Sequence, residues 1–249
     1  MNLGIGGKVA LVMGASRGIG RGIATSLARE GARVALSSRS ADALEELAGE
    51  LEGAQAFPAD TDDLERVAAL PGEVADALGP VEILVANTGG PPPGGALENS
   101  REEWEAAYRS LVLAPRALVE AALPGMRERR WGRIVNVASS SVREPIPHLS
   151  LSNVHRMAAV GFLKTLAAEV AGDGITVNTV ATGRFATDRA RDNYGSLEAA
   201  EEAARDQVPA GRLGQPEEFG DLVAFLASER AAYLTGAVIP LDGGMLHSA

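Results

Sequence analysis

The sequence predicts a doubly wound α/β fold: one mostly parallel, seven-stranded sheet with helices on both faces. Three observations predict it. Short apolar, β-branched runs alternate with longer stretches of helical periodicity from end to end, and strands separated by helices demand parallel crossovers. The strand runs are continuously apolar, as strands buried on both faces are. A glycine-rich turn leaves the first strand and opens the first helix.

In chain order, strands are expected at 9–13, 34–38, 54–58, 83–86, 134–137, 176–180 and 238–240. Helical periodicity fills 19–30, 41–52, 62–78, 101–130, 151–171 and 216–227. Two segments break the rhythm, and both follow the carboxyl ends of strands, where parallel sheets bind ligands. One is the Pro/Gly run of residues 88–95, which reads either as a stiff connector or as a crevice wall. The other, about 183–214, is polar with a helical middle and reads as a lid over the crevice. With no linker, repeat or charge block, residues 1–249 are expected to form a single dinucleotide-binding domain carrying that loop insertion.

Composition narrows the function. An apolar fraction of 46% over 249 residues can build one core unaided. The absence of cysteine excludes disulfides, thiolate nucleophiles and Cys-ligated zinc. The three histidines, at 148, 155 and 247, lack ligand company by spacing, so no metal is expected. A net charge of −10 with no basic cluster argues against nucleic acid. No run of about 18 apolar residues argues for a membrane span, and the first residues do not read as a signal peptide. The expected location is the cytoplasm. Trp104 and Trp131 read as packing residues.

The turn Gly14-Ala15-Ser16-Arg17-Gly18-Ile19-Gly20 has the chemistry of a pyrophosphate cradle. Glycines let backbone amides approach the phosphates at the positive end of a helix. A dinucleotide site also needs a ribose reader after the second strand. An acid there suits the 2′-hydroxyl of NAD(H), and a base suits a 2′-phosphate. This chain offers no carboxylate there but Arg39, with Arg17 as a second phosphate contact, so NADP(H) is preferred over NAD(H).

With Asp60 after the third strand, Asn87-Thr88-Gly89 after the fourth, and Gly132–Ser139 as the fifth, the chain resembles the short-chain dehydrogenase/reductase family. Gly211–Glu218 and Leu241–Gly244 match that family's later signatures, so the similarity spans about 7–245. Its 3-oxoacyl-acyl-carrier-protein reductases and related keto/hydroxy oxidoreductases look most similar. The resemblance implies a Rossmann-type fold and a homotetramer. Its cofactor contacts would be Ser16, Ile19 and the turn glycines, then Asp60 and Thr61, Asn87 and Gly89, and finally Gly183 and Thr187.

The family's working residues are an Asn, a Ser and a Tyr-x3-Lys pair. Only Ser139, which would orient the substrate oxygen, is kept. The downstream Gly161-Phe162-Leu163-Lys164 fixes the register, putting Ser152 at the Tyr position and Arg156 at the Lys position. Ser110 stands where the Asn belongs. A Ser hydroxyl is far less acidic than a phenol of pKa about 10, and it is shorter. Arg156 stays protonated and can still bond ribose hydroxyls. Substitute acids are His155, which shares a helical face with Ser152, then Tyr194, His148 and Tyr108, or water. Thr88 and Thr182 replace the family's usual Ala and Pro, so the substrate pocket departs from type. Two readings follow. One is an oxidoreductase acting on a small carbonyl or alcohol substrate with an unorthodox proton donor. The other is a catalytically impaired NADP(H)-binding sensor or assembly protein.

Overall fold

The computed structural model describes residues 1–248. Its elements run β1 (Val9–Met13), α1 (Gly18–Arg29), β2 (Arg33–Ser37), α2 (Ala41–Glu50), β3 (Gln55–Ala56), α3 (Leu64–Ala77) and β4 (Val81–Asn87). There follow α4 (Arg101–Tyr108), a π-helical turn (Arg109–Leu113), α5 (Ala114–Arg129), β5 (Gly132–Ser139), α6 (Ser150–Val170) and β6 (Ile175–Thr182). The chain closes with α7 (Asp188–Tyr194), α8 (Leu197–Gln207), α9 (Pro216–Leu226) and β7 (Val238–Leu241).

The seven strands form one sheet in the order β3-β2-β1-β4-β5-β6-β7. Every pairing is parallel. Side chains alternate between two apolar layers. Val9, Leu11 and Met13 face α3, α5 and α6, while Ala10 and Val12 face α1, α2 and α9. The strand order reverses between β1 and β4, so their carboxyl ends diverge and leave a crevice. The glycine turn and the Pro/Gly run both start there.

Two expectations are corrected. The helix expected over 101–130 is broken by the π turn, in which Ala114 N–H reaches back five residues to the Arg109 carbonyl. Widening one turn by a residue leaves the apolar stripe nearly unchanged, so periodicity does not register it. The strand expected over 54–58 shrinks to Gln55–Ala56. It lies at the sheet edge, and Pro58 has no N–H to continue the ladder. Beyond it the chain stays beside β2 through Phe57 N to Leu36 O (2.8 Å) and Ala59 N to Ser38 O (3.0 Å).

Helices α1 and α9 touch backbone to backbone, and glycine makes this possible. A Cβ on Gly220 would lie 2.3 Å from the Gly22 carbonyl oxygen, and one on Gly22 would lie 2.3 Å from that of Pro216. A methyl there must push two packed helices apart. Gly220→Ala should therefore lower unfolding stability by about 1–3 kcal/mol in urea titrations. Gly49→Ala, on α2 where a Cβ meets nothing within 4 Å, should raise it by about 0.5–1 kcal/mol. Equal effects at the two positions would show that the crossing is not tight.

Candidate active site

The turn after β1 is shaped by clearance. A Cβ on Gly20 would sit 1.9 Å from the Gly14 carbonyl oxygen, and one on Gly14 would sit 2.7 Å from Asn87 Nδ2. Gly14 and Gly18 both have positive φ, 62° and 53°. Asn87, at the end of β4, donates through Nδ2 to the Met13 carbonyl at 3.1 Å and toward that of Gly14 at 3.5 Å. It thus ties the fourth strand to the turn. Arg17 is the N-cap of α1 but makes no side-chain capping bond, and the first turn holds no acid. The leading amides of a full-length helix are therefore left for an anion. Ser16 and Ile19 lie within the same turn and are partly buried.

The loops after β2 and β3 are tied together through the sheet. Ala59 N bonds Ser38 O, which sets Asp60 and Thr61 beside the segment that carries Arg39. Asp60 Oδ1 accepts from Asp62 N at 3.1 Å, fixing the bend. Arg39 is exposed and makes no ion pair among the described residues.

The insertion at 183–214 has a cinched neck. Ala186 N bonds Gly214 O and Gly214 N bonds Arg184 O, both at 2.9 Å. Gly183 is needed for passage beside β7, because its Cβ would meet Asp242 Cα at 2.4 Å. The segment holds α7 and α8 around a small cluster of Ala200, Ala204, Val208 and Leu213. Its start leans on the glycine turn. The Thr187 methyl lies 3.2 Å from where a Gly18 Cβ would be, and Arg17 reaches Asp188 at 3.6 Å. The far end is fixed by Arg212 and Glu218, bonded at 2.8 and 2.7 Å. Those bonds, with Gln215 N, hold the Glu218 carboxyl down at about 2.

At the carboxyl end of the central strands, Ser139 closes β5 and pairs in register with Thr182 of β6. Ser139 Oγ accepts from Ser141 N at 3.1 Å. Thr182 Oγ1 and Ser141 Oγ are buried without a partner, as is Ser37 Oγ beside the glycine turn. Buried hydroxyls are normally satisfied, so the two flanking Ser139 mark a place where polar ligand atoms fit. On α6, Ser152 is buried and Arg156 partly so. Arg156 donates from Nη1 to Val137 O at 2.9 Å and from Nη2 to Gly89 O at 3.2 Å, bridging the ends of β5 and β4. Burial, and secondarily the charge of Arg189, push its guanidinium down to about 10, so it remains a cation at neutral pH.

The substitute acids are not gathered at this point. His155 is buried with its ring turned to α4, 5.1 Å from Trp104 and 6.2 Å from Tyr108 between centroids. Its Nδ1 lies 2.8 Å from Leu151 O. It lines an outer groove of about 430 Å³ with Trp104, Tyr108 and Arg109. Ser110 sits in the π turn and donates its hydroxyl to Ala106 O at 3.1 Å. The Tyr194 hydroxyl is held by Arg184 within the insertion. His148 is exposed, with φ of 58°, and its carbonyl accepts from Gly94 N at 2.7 Å. That bond and Ser150 N to Gly94 O anchor the Pro/Gly run to the start of α6.

Arg189 was not legible in the sequence as a site residue. It reaches from α7 across the crevice to the loop after β4, donating to Pro91 O at 3.4 Å. The only sequence signal is its place two residues after Thr187, at the start of the lid. Among the described residues no helix is long and apolar enough to cross a membrane. Nor does any group of three or more His, Cys, Asp or Glu there converge as metal ligands.

Comparison with known proteins agrees with this geometry. Residues 14–246 match the family model described as enoyl-(acyl carrier protein) reductase. The chain is 41% identical over 249 residues to the 3-oxoacyl-[acyl-carrier-protein] reductase FabG of Pseudomonas aeruginosa, covering 97% of this chain and 98% of that protein. It is 35% identical over 245 residues to the dehydrogenase/reductase SDR family member 4 of Pongo abelii, covering 95% and 87%. The L-sorbose reductase of Gluconobacter frateurii, solved with NADPH and L-sorbose, superposes with a TM-score of 0.94 at 34% identity over 100% of both chains.

Proposed function

The chain belongs to the short-chain dehydrogenase/reductase family and is an oxidoreductase, and from that premise we propose that it moves a hydride between NADP(H) and a carbonyl or secondary alcohol. The observation that carries this reading is the glycine cradle at the uncapped start of α1, with unpaired Arg39 standing where a 2′-phosphate reader belongs. The turn fits a pyrophosphate because the clearances at Gly14 and Gly20 let α1 start directly against β1 with its leading amides uncapped. Gly14 through Gly20 would hold the diphosphate, Asp60 and Thr61 the adenine, Arg39 the 2′-phosphate, and Asn87, Gly89, Thr187 and Arg156 the nicotinamide half. The pairing of NADPH with a sugar substrate in the sorbose reductase, and the 3-oxoacyl reduction named for FabG, support a carbonyl substrate.

Once bound, the nicotinamide supplies the hydride chemistry. The protein's share is orientation and charge. Ser139 orients the substrate oxygen at the end of β5. Arg156, fixed by two strand-end carbonyls, supplies a cation that stabilises negative charge developing on that oxygen. Ser152 is no substitute for a phenol, His155, Tyr194 and Ser110 are all engaged elsewhere, Tyr108 lines the outer groove and His148 is exposed on the connection before α6. The proton therefore comes from water at the crevice, and the alkoxide relies on Ser139 and Arg156 until it arrives. Losing a positioned acid slows such a step by about 10²–10⁴-fold without abolishing it.

The deciding experiment is titration with NADPH and NADH, followed by absorbance at the nicotinamide band with a ketone panel. NADPH should bind more tightly than NADH. Arg39→Ala should weaken NADPH by about 10–100-fold, the worth of a charge-assisted bond, and leave NADH nearly unchanged. Equal affinity for the two cofactors would remove the role given to Arg39. Binding with no turnover of any ketone would favour the second reading, a cofactor-loaded sensor, which the loss of the phenol motivates.

The paired substitution Ser152→Tyr with Arg156→Lys should raise kcat by about 10²–10⁴-fold if only the acid is missing. An unchanged kcat with intact NADPH binding would mean that the pocket itself has been rebuilt.

We also propose assembly as a homotetramer. Val154, Met157, Ala158, Gly161 and Thr165 form an exposed, nearly uncharged stripe along α6, with Tyr108 exposed on neighbouring α4. Such a face on a long helix suits a two-fold interface. Light scattering should give four chains, and Met157→Glu should lower that number; a monomeric wild type would overturn the proposal.

A further inference from the structure

The crevice holds two guanidinium groups on one short loop. Arg156, from α6, bonds the carbonyl of Gly89. Arg189, from α7 in the insertion, bonds that of Pro91. Between them, Gly90 lies under the flat face of Arg189. A Cβ there would be equidistant, at 3.2 Å, from Cζ, Nη1 and Nη2. Glycine at 90 is what lets the guanidinium lie down on the backbone. Two like charges are thus carried to successive residues of one segment by elements far apart in sequence.

Neither cation has a carboxylate partner among the described residues. The adjacent acid, Asp188, faces the other way, toward Arg17 at 3.6 Å and Arg191 at 2.9 Å. Glu98, on the same loop, is occupied by Gly95 N at 2.6 Å. All the partners of Arg156 and Arg189 are neutral carbonyls. In a chain of net charge −10, with acids to spare, the crevice keeps two uncompensated positive charges. The proximity is felt, since the charge of Arg189 contributes to depressing Arg156. An anion between or beside them would relieve that repulsion and gain charge-assisted hydrogen bonds. Arg189 is the more accessible half of the pair, because it is exposed and its one bond is long at 3.4 Å.

Two sources could supply the anion: the phosphates of the dinucleotide or a carboxylate on the substrate. The geometry favours the second. The phosphate cradle lies at Gly14–Gly20, where Arg17 and Thr187 stand. Arg189 makes its bond to the loop after β4 and its charge is felt at Arg156, and no contact joins it to that turn among the described residues. We propose that this enzyme acts on an anionic carbonyl compound, an oxo- or hydroxy-carboxylate whose carboxylate docks on Arg189 from the lid side. Arg189 is then the residue that selects the substrate, while Arg156 stays with the reacting oxygen and the ribose. This rests on the oxidoreductase reading above.

The test compares 2-, 3- and 4-oxo acids with their methyl esters, using NADPH-loaded wild type and Arg189→Gln. The wild type should prefer the acid of at least one pair. That preference, as the ratio of kcat/KM for acid over ester, should fall by about 10–100-fold in Arg189→Gln while the NADPH Kd stays put. No acid preference in the wild type would overturn the proposal. A weakened NADPH Kd in the variant, with the acid-to-ester ratio unchanged, would assign Arg189 to the cofactor and overturn it too. Calorimetric binding of the oxo acids to the NADP+ complex separates the two levels of the argument. Acid binding that depends on Arg189 without turnover would sink the proposed hydride transfer to a carbonyl and leave the anion site standing. Absence of such binding would sink the anion site alone.

Discussion

The crevice depends on one clearance, that between the α carbon of Gly20 and the carbonyl oxygen of Gly14, where a Cβ would have only 1.9 Å. This contact lets α1 start directly against the end of β1. Its leading amides then face the gap opened where the strand order reverses. Asn87 locks the same corner from the β4 side, and the Thr187 methyl covers it from the lid. Three segments far apart in sequence thus converge on one backbone geometry. The sheet supplies the divergence of β1 and β4, and glycine supplies the room. Nothing else in the crevice would have its position without them.

From that corner the site divides by the kind of group that builds each part. The cofactor half is made of backbone: amides at a helix start, carbonyls at strand ends, and turns fixed by positive φ. Such groups survive substitution of most side chains. The proton-handling half rests in this family on the acidity of a single phenol, and Ser152 cannot supply it. The same logic explains why Arg156 is a mild replacement for Lys. The role proposed for it is positional and electrostatic, and two carbonyls hold it in place. Partial burial disfavours the charge, yet at a value near 10 it keeps its proton through the neutral range.

What the sequence made legible follows the same division. The strands were readable because burial on both faces leaves continuous apolar runs. The cofactor corner was readable because glycine spacing encodes backbone shape. The π turn was not, since a hydrogen bond shifted by one residue leaves helical periodicity almost intact. The direction of His155 was not either. Helix α6 is buried over a wide arc, so sharing a face with Ser152 still allowed the ring to turn onto Trp104. Arg189 was hidden for a third reason. Its partner, Pro91, lies 98 residues away, and only the folded lid brings them together.

The uncompensated arginines bear on the missing acid. A carbonyl reduction builds negative charge and basicity on its oxygen, and that charge can be met by a donated proton or by a nearby cation. A crevice that lost a phenol and kept a neutral lining would have neither. This one retains a guanidinium in the Lys position, while the second, on α7, stands at a separate point on the loop after β4, with the nearby acids engaged elsewhere. Cations so placed stabilise charge on the substrate most effectively where water is thin, because screening weakens them in the open. In the substrate reading proposed above the two cations divide the work, Arg156 beside the reacting oxygen and Arg189, on α7 against the loop after β4, at the far anionic group.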